Sequence, residues 1–546
     1  MKSQLERREL VFGFVAPIGV ERDKVQDALR KALDDCKYQL EKVHVSDWLH
    51  KFDVSGEATS TDEFLYRKNL LMDAGDEMRR QWSDVNGEKR ADAAALACIV
   101  AIRDKRQKSN ERKKVQPEKD VDGDVRGLTL IPALATAYLL DSLKHPAELE
   151  LLRSVYGPAF VSIGIYSPLD DREESLKRKS RSDDINRWLQ QIIRRDAEGA
   201  PDDAKLGQRV SDAFTQTDFI VNAQLSDVKL QRAMTRLVSL IFGDPHLTPS
   251  FEEFGMYLAR TAQVRSGSLA RQIGASLLRD DGSVVSVGTN EVPKPIIGGQ
   301  YWPEDDEKYN GRDRVYADID SSDNFRSDMV RDLLDKLAKN HLLVEELSNE
   351  KLSSNDRLKS LYGTKDSLLR GGPISANIDY VRAVHAEAAT IIDCARHGVP
   401  TKGTQMFTTT FPCHECARHI VAAGIKRVVY LEPYPKSATS TLYTDSISID
   451  PSGKKKSKVI FTTFVGVAPA RYIEFFSLGD RKRKDDSTGE VKKFSLTVES
   501  APNLPYYTPP PQVIVVSELE KSAAFATFYD NFTLNQTPSI ISNTTI

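Results

Sequence analysis

Three metal-binding side chains and one carboxylate stand at short, fixed spacings in this chain: His385-Ala386-Glu387 and, downstream, Pro412-Cys413-His414-Glu415-Cys416. One imidazole and two thiolates make a three-ligand tetrahedral zinc set, with the fourth position left to water. A metal held in this way lowers the pKa of its water toward neutrality, so hydroxide is available at pH 7. Glu387 stands outside the ligand set and is free to move protons. A structural zinc site or a redox pair would also use Cys413 and Cys416. Neither needs the glutamate, and a structural site would want a fourth protein ligand. His414 and His419 read as helix-surface residues, because the ligand set is complete without them. His397, beside Gly398, reads as a helix-end residue that interacts with the dipole.

The neighbouring segments must position these groups. Residues 404–410 (TQMFTTT) read as a strand running into Phe411-Pro412, and 413–423 as a helix closed at Gly424. Residues 425–431 (IKRVVYL) read as the next strand. Residues 385–396 read as a helix with Ala388, Ile391, Ile392 and Ala395 on its buried side and Gly398 past its end. Both ligand pairs then sit at helix N-termini, where dipole and free N–H groups would help Cys413 and Cys416 ionise before the metal arrives.

The chain has 546 residues, enough for at least two cores, and a formal net charge of −3, which does not suggest a protein that coats nucleic acid. Its five cysteines are few, as in a reducing cytosol; Cys36, Cys98 and Cys394 lie in apolar helical patterns and read as core. No apolar signal core opens the sequence, and the longest apolar stretch, 128–140, is too short for a bilayer. These features lead to the expectation of a soluble, cytoplasmic protein with no membrane partner.

The N-terminal part alternates strands and helices, the pattern of a doubly wound α/β sheet. Strands are expected at 10–16, 42–45, 137–140, 160–166 and 219–221, and a helix at 23–33. A phosphate-binding loop would fall at 16–23, but Ala16 and Glu21 stand at its glycine positions, Arg22 at its lysine and Asp23 at its hydroxyl. A glutamate where backbone must meet phosphate is unfavourable. Gly19, Arg22 and Asp141 remain nucleotide-binding candidates, and efficient nucleotide hydrolysis is not expected. Charge runs at 103–114, 177–181, 454–458 and 481–484 read as solvated loops that together could form an RNA- or phosphate-binding surface. Residues 531–546 read as disordered or loosely docked.

From residue 251 onward a helix (256–264), a hairpin (276–279 and 283–287 about Asp280-Asp281-Gly282) and Gly288-Thr289-Asn290 precede the metal motifs. H-x-E with P-C-x-x-C is the zinc deaminase signature. With the helix, hairpin and G-x-N in this order, the segment resembles deoxycytidylate deaminases and their cytidine deaminase-like relatives. The resemblance implies a central mixed sheet with zinc between two helices, Glu387 as the catalytic proton carrier and His385, Cys413 and Cys416 as zinc ligands. Asn290 resembles the sugar-contacting asparagine of related deaminases, though an Asx-turn would explain it equally. Tyr434 and Lys436 are candidates for the pocket mouth. The whole chain resembles the bacterial anti-phage dCTP deaminases, in which a P-loop kinase-like domain is joined to a deoxycytidylate deaminase domain. That likeness implies conversion of dCTP and dCMP to deoxyuridine nucleotides, a homo-oligomer formed through the deaminase domain, and in some members a small inhibitory RNA.

The expected organisation is a P-loop kinase-like doubly wound domain with a degenerate loop over 1–245. A cytidine deaminase-like α/β/α domain follows over 251–475, with a long insertion at 298–380 that contains a helix over 328–343. A partly flexible extension covers 476–546. The insertion is expected to act as a lid or regulatory element. Two other functions stay open. A polynucleotide base deaminase would want a basic channel and exposed aromatics, which the charge and the 8% aromatic content do not favour. A non-catalytic RNA or nucleotide sensor would have no need of Glu387.

Overall fold

The computed structural model describes residues 7–49, 52, 63–86, 90–115, 131–180, 185–199, 206–302, 312–313, 320–349, 352–364, 367–369, 374, 377, 380–433, 437–450, 457–497, 501–504 and 511–535. The chain divides into two compact units, Met1–Glu253 with Val465–Ile546, and Phe254–Phe464. Among the described residues the strands are β1 (Leu10–Val15), β2 (Gln39–His44), β3 (Thr136–Leu143), β4 (Phe160–Tyr166), β5 (Phe219–Asn222), β6 (Gly274–Leu278), β7 (Val284–Thr289), β8 (Gln405–Thr410), β9 (Arg427–Glu432), β10 (Ile447–Ile449), β11 (Val459–Thr463) and β12 (Gly466–Val467).

The first unit holds a sheet in the order β12-β5-β4-β1-β3-β2. β1 to β5 are parallel, and β12 is antiparallel to β5. β1 (LVFGFV) is buried at all six positions, as a central parallel strand covered on both faces must be. β2 (QLEKVH) lies at the edge and buries only Val43. It starts three residues before its expected place because an edge strand carries polar residues and shows no apolar run. The helix Asp23–Asp34 buries Val25, Ala28, Leu29, Ala32 and Leu33, a helical stripe, against Leu230, Met234, Leu237 and Ile241 of the helix Asp227–Ile241. Each such fully buried leucine contributes about 1.5–3 kcal/mol.

Three expectations for this unit need correction. Residues 465–475 belong here, not with the zinc-motif segment: β12 pairs with β5, and the backbone N–H of Val467 donates to Glu253 Oε1 at 2.8 Å. The 476–546 segment is not merely an extension, for it contributes a helix, Pro511–Asn535, that packs in this unit. The 103–114 charge run is no solvated loop. It lies largely within the helix Ala93–Arg112, and Arg106 is fully buried, bridging Glu9 and Glu518 with hydrogen bonds of 2.6–2.8 Å. On the same helix as Glu518, Phe525 and Phe528 meet Trp82 edge to face, Phe528 also stacks on Phe52, and Tyr529 lies tilted against Trp48.

Gly19 follows β1 at φ +89°, and a Cβ there would lie 2.7 Å from the carbonyl oxygen of Arg172. Gly19→Ala is therefore expected to destabilise the first unit by about 1–3 kcal/mol, read as a lowered midpoint in chemical denaturation. An unchanged midpoint would mean the turn relaxes freely.

The second unit holds a mixed sheet in the order β10-β11-β9-β8-β6-β7. β6 is antiparallel to β7 and β8, while β8, β9, β11 and β10 run parallel. The helices Ala386–His397 and His414–Ala422 put Ile391, Cys394, Ala417 and Ile420 into one core with Leu277, Met406, Val428 and Phe461. The phase of the first helix differs from expectation. Ile392 is 53% exposed and Ala395 is exposed, whereas Ala386, Glu387, Thr390 and Cys394 are buried. The helix is turned so that Glu387 faces inward, and Ile392 lies outside that stripe. Gly398 ends it in the left-handed conformation, φ 67°.

Within the insertion, the helix runs from Ser321 to Lys339, earlier than 328–343, because Asp320 caps it by accepting from the N–H groups of Ser322 and Asp323. With the helix Ser354–Tyr362 it closes a small core of Val330, Leu334 and Tyr362. The described residues thus give the insertion a core of its own. No helix among the described residues is long and apolar enough to cross a membrane.

Candidate metal centre

The isolated bridge Glu291↔Val384 begins the site. It ties the residue after Asn290 to the residue before His385, so the end of β7 is brought beside the helix that carries Glu387. His385 is the N-cap of that helix, and Cys413 is the N-cap of His414–Ala422, with its Sγ accepting from the N–H of Cys416. Both ligand pairs therefore sit at helix starts, as the sequence led us to expect.

His385 Nδ1 lies 3.2 Å from Cys413 Sγ and 3.4 Å from Cys416 Sγ, and the three donor atoms are all within 4.8 Å of one another. Tetrahedral zinc with ordinary Zn–N and Zn–S bonds needs N···S edges of about 3.6 Å. The trio fits that ion with adjustments of a few tenths of an ångström. Cys416→Ala should lower bound zinc from about one per chain to below about a tenth, measured by elemental analysis after dialysis. Retained zinc would exclude this residue as a ligand.

Glu387 is 3% exposed. Its Oε2 lies 3.5 Å from Cys416 Sγ, and its Oε1 lies 3.4 Å from the Thr408 hydroxyl oxygen, whose one hydrogen has a nearer acceptor in the Thr410 carbonyl at 3.0 Å. Burial, and then the Cys413 charge, raise the pKa of Glu387 above the usual carboxylate value. His385 is raised, chiefly by its hydrogen bond to Cys413. The two thiols do not behave alike. Cys413 is lowered to about 4, first by the hydrogen bond from Cys416 and then by His385, while Cys416 is pushed well above its usual value because it is the donor in that pair. The expectation that both ionise ahead of the metal is thus corrected. Two touching buried thiolates repel, so the second proton leaves only as the metal binds.

Asn290 is buried, and both its side-chain groups are engaged: Oδ1 accepts from the N–H of Ile273 at 2.7 Å, and Nδ2 donates to the Arg271 carbonyl at 2.6 Å. It holds the 271–273 segment in place and is not an Asx-turn on its own strand. Tyr434 and Lys436 lie outside the described residues. His419 is exposed and His397 is paired loosely with Asp393 at 3.6 Å, consistent with surface positions. Thr408 is the contact that sequence reading missed. The signal was there: in a strand running into Pro412-Cys413, Thr408 and Thr410 share one face.

The other candidates lie in the first unit. Gly19, Arg22 and Asp141 line one cavity at the carboxyl ends of β1 and β3. Arg22 is ion-paired with Asp141, and Lys42 Nζ lies 3.1 Å from the same carboxylate. The arginine expected to stand in for a phosphate-binding lysine is therefore already neutralised by the residue expected to bind a metal.

Residues 249–432 match the family model of the cytidine and deoxycytidylate deaminase zinc-binding region. The chain is 45% identical over 53 residues to ComE operon protein 2 of Bacillus subtilis, covering 10% of this chain and 28% of that protein. It is 43% identical over 54 residues to the deoxycytidylate deaminase of Enterobacteria phage T4, covering 10% and 28%. It is 31% identical over 103 residues to that of Pongo abelii, covering 19% and 53%. The chain thus spans under a third of the first two relatives and about half of the third. Among solved structures, the dCMP deaminase of cyanophage S-TIM5 in complex with dCMP and dUMP aligns at 15% identity and a TM-score of 0.21, covering 40% of this chain and 99% of that one. Zinc is the cofactor that the matched region and the His385, Cys413 and Cys416 cluster support together, and residues 249–432 are similar to the zinc-binding region of cytidine and deoxycytidylate deaminases.

Proposed function

We propose that this protein hydrolytically deaminates free deoxycytidine nucleotides, dCMP or dCTP, to the corresponding deoxyuridine nucleotides. The observation that carries this reading is Glu387, buried within 3.5 Å of a ligand sulfur yet absent from the three-donor set. Zinc, when bound by His385, Cys413 and Cys416, supplies a water acidic enough to attack at neutral pH. Glu387 accepts the proton of that water and passes it to the ring nitrogen, while the oxygen bonds to C4. Glu387 then takes the remaining proton from the new C4 hydroxyl and delivers it to the amino group, so the C4–N bond breaks and ammonia leaves as the C4 carbonyl forms. The Thr408 hydroxyl steadies the carboxylate. Burial favours the protonated form that the second step requires.

Asn290 supports the substrate pocket by fixing the 271–273 segment. Asn290→Ala is expected to raise KM by about tenfold, the order of one lost hydrogen-bonded contact, with zinc content unchanged. A purely catalytic defect would overturn that role. Tyr434 and Lys436 are proposed at the pocket mouth because they follow β9, whose neighbour β8 leads to Cys413.

A parallel doubly wound unit in the same chain as a deaminase domain supports the wider reading. In it the enzyme drains dCTP during phage infection, as a homo-oligomer under the control of a small RNA. The direct test is mass spectrometry of purified protein with dCTP, dCMP, CTP and a cytosine-containing single strand, with Glu387→Ala as control. Deoxyuridine nucleotides absent in the control support the proposal. Turnover of the strand alone would make the protein a polynucleotide deaminase instead.

A further inference from the structure

The bridge that begins the metal centre is a small joint. The N–H of Glu291 donates to the Val384 carbonyl at 3.3 Å, and the N–H of Val384 donates to the Glu291 carbonyl at 3.0 Å. His385 directly follows one half of it, and Asn290 directly precedes the other. A zinc ligand and a pocket residue therefore meet across two backbone hydrogen bonds, one of them long.

One side chain reinforces that joint. Gln300 is half-buried at the far end of the loop 293–302. Its Nε2 donates to the carbonyls of Glu291 and Val384, each at 3.3 Å, and its Oε1 accepts from the N–H of Thr289 at 3.3 Å. Thr289 ends β7, so the same carboxamide ties the joint to the sheet. A carboxamide presents donors and an acceptor on one planar head, and here both kinds are in use.

The loop that carries Gln300 is itself fastened. It folds back through Gly298 and Gly299, at φ 70° and 74°, with the N–H of Lys294 donating to the Gly299 carbonyl at 2.9 Å. Trp302 is buried and donates from Nε1 to the Val292 carbonyl at 2.8 Å. Arg396, on the helix that carries Glu387, donates to the Ile297 carbonyl at 3.0 Å. The donors of the metal set leave little room for error. His385 Nδ1 stands 3.2 and 3.4 Å from the two sulfurs, against the edges of about 3.6 Å that zinc requires. A shift of Val384 by a few tenths of an ångström is as large as the adjustment the ion itself demands.

We propose that Gln300 is a positioning residue of the metal centre: its carboxamide holds the joint between Glu291 and Val384 and so sets where His385 meets the metal and where Asn290 supports the pocket. The kinetic part of this proposal rests on the deamination reading; the metal part does not.

The test compares the full chain with Gln300→Met, which keeps the length and removes all three hydrogen bonds, and with Gln300→Glu, which keeps only the acceptor. Ser286→Ala is the control. It removes the 3.0 Å bond from Ser286 to Asp393, another link between β7 and the same helix that does not involve the joint. Zinc affinity is read by competition with a chelator, and coordination by the visible absorption of the Co²⁺-loaded protein, whose bands follow ligand geometry. Both Gln300 variants should lose about tenfold in zinc affinity, the lower end of what groups behind metal ligands contribute, and should shift or weaken the Co²⁺ bands. With dCMP they should lower kcat and raise KM together, whereas Asn290→Ala raises KM alone. Ser286→Ala should leave affinity, bands and kinetics unchanged. Should Gln300→Met fail to fold, Gln300→Glu decides alone. Zinc affinity and Co²⁺ bands equal to those of the unaltered chain would overturn the proposal even with a lowered urea midpoint, because Gln300 would then only stabilise the fold. An equal loss in Ser286→Ala would overturn it as well, since any loosening of the helix would suffice. If the unaltered chain turns over no nucleotide, the deamination reading fails, and the metal readouts still decide the role of Gln300.

Discussion

Replacing Glu387 by glutamine is expected to lower kcat for deoxycytidine nucleotide deamination by about 10³–10⁴-fold, roughly 4–5.5 kcal/mol of transition-state stabilisation. The amide keeps the shape and the hydrogen bond toward Thr408 but cannot take a proton from water or return one to the leaving amine. Bound zinc should stay unchanged, because His385, Cys413 and Cys416 are the donor set. Stability should not fall, since the substitution removes a buried carboxylate that lies against the Cys413 charge. The measurement is ammonia release together with elemental analysis on the same preparation. A loss of less than tenfold would assign the proton transfers to another group. A loss of zinc would make Glu387 a structural residue.

Glu518→Ala should cost the first unit about 3–5 kcal/mol, the usual penalty for removing one partner of a buried pair. Both Arg106 and Glu518 are fully buried, and Glu518 accepts two hydrogen bonds from the guanidinium, at 2.6 and 2.8 Å. Without it, Arg106 loses both of those bonds and keeps the ones to Glu9. Tryptophan fluorescence reports mainly this unit, because Trp48, Trp82 and Trp188 lie in it and only Trp302 lies in the other. The urea midpoint read that way should drop sharply, and a cycle with Arg106→Leu should show strong coupling. A shift equivalent to under about 1 kcal/mol, the range of an exposed pair, would mean that the helix Pro511–Asn535 does not depend on this bridge.

The parts of the fold that were legible in the sequence share one property: burial on both faces. β1 and β4 emerged almost to the residue because a central parallel strand is a continuous apolar run. Edge and partner-dependent elements were not legible. β2 is polar over most of its length because, among the described residues, one of its sides meets no strand. The helix 511–535 escaped notice because its long-range partners at 48–106 do not show in local pattern. Arg106 sits in a run of Lys and Arg whose composition reads as solvated, yet it is buried by Glu9 and Glu518, which lie far off in the chain. Charge alone does not reveal that its counter-charges arrive from elsewhere.

The zinc chemistry was determined by residue type and spacing. Three donors and one spare carboxylate, each pair within a few residues on a helix start, place themselves wherever those helices go. What only the tertiary structure decided was which atoms each group meets. It turned Glu387 inward at the expense of Ile392, set Thr408 beside its carboxylate and gave the two thiols different acidities. It engaged Asn290 with the backbone and paired Arg22 with Asp141. Those outcomes depend on hydrogen-bonding distances between residues as much as 119 positions apart, and local spacing carries no information about such distances.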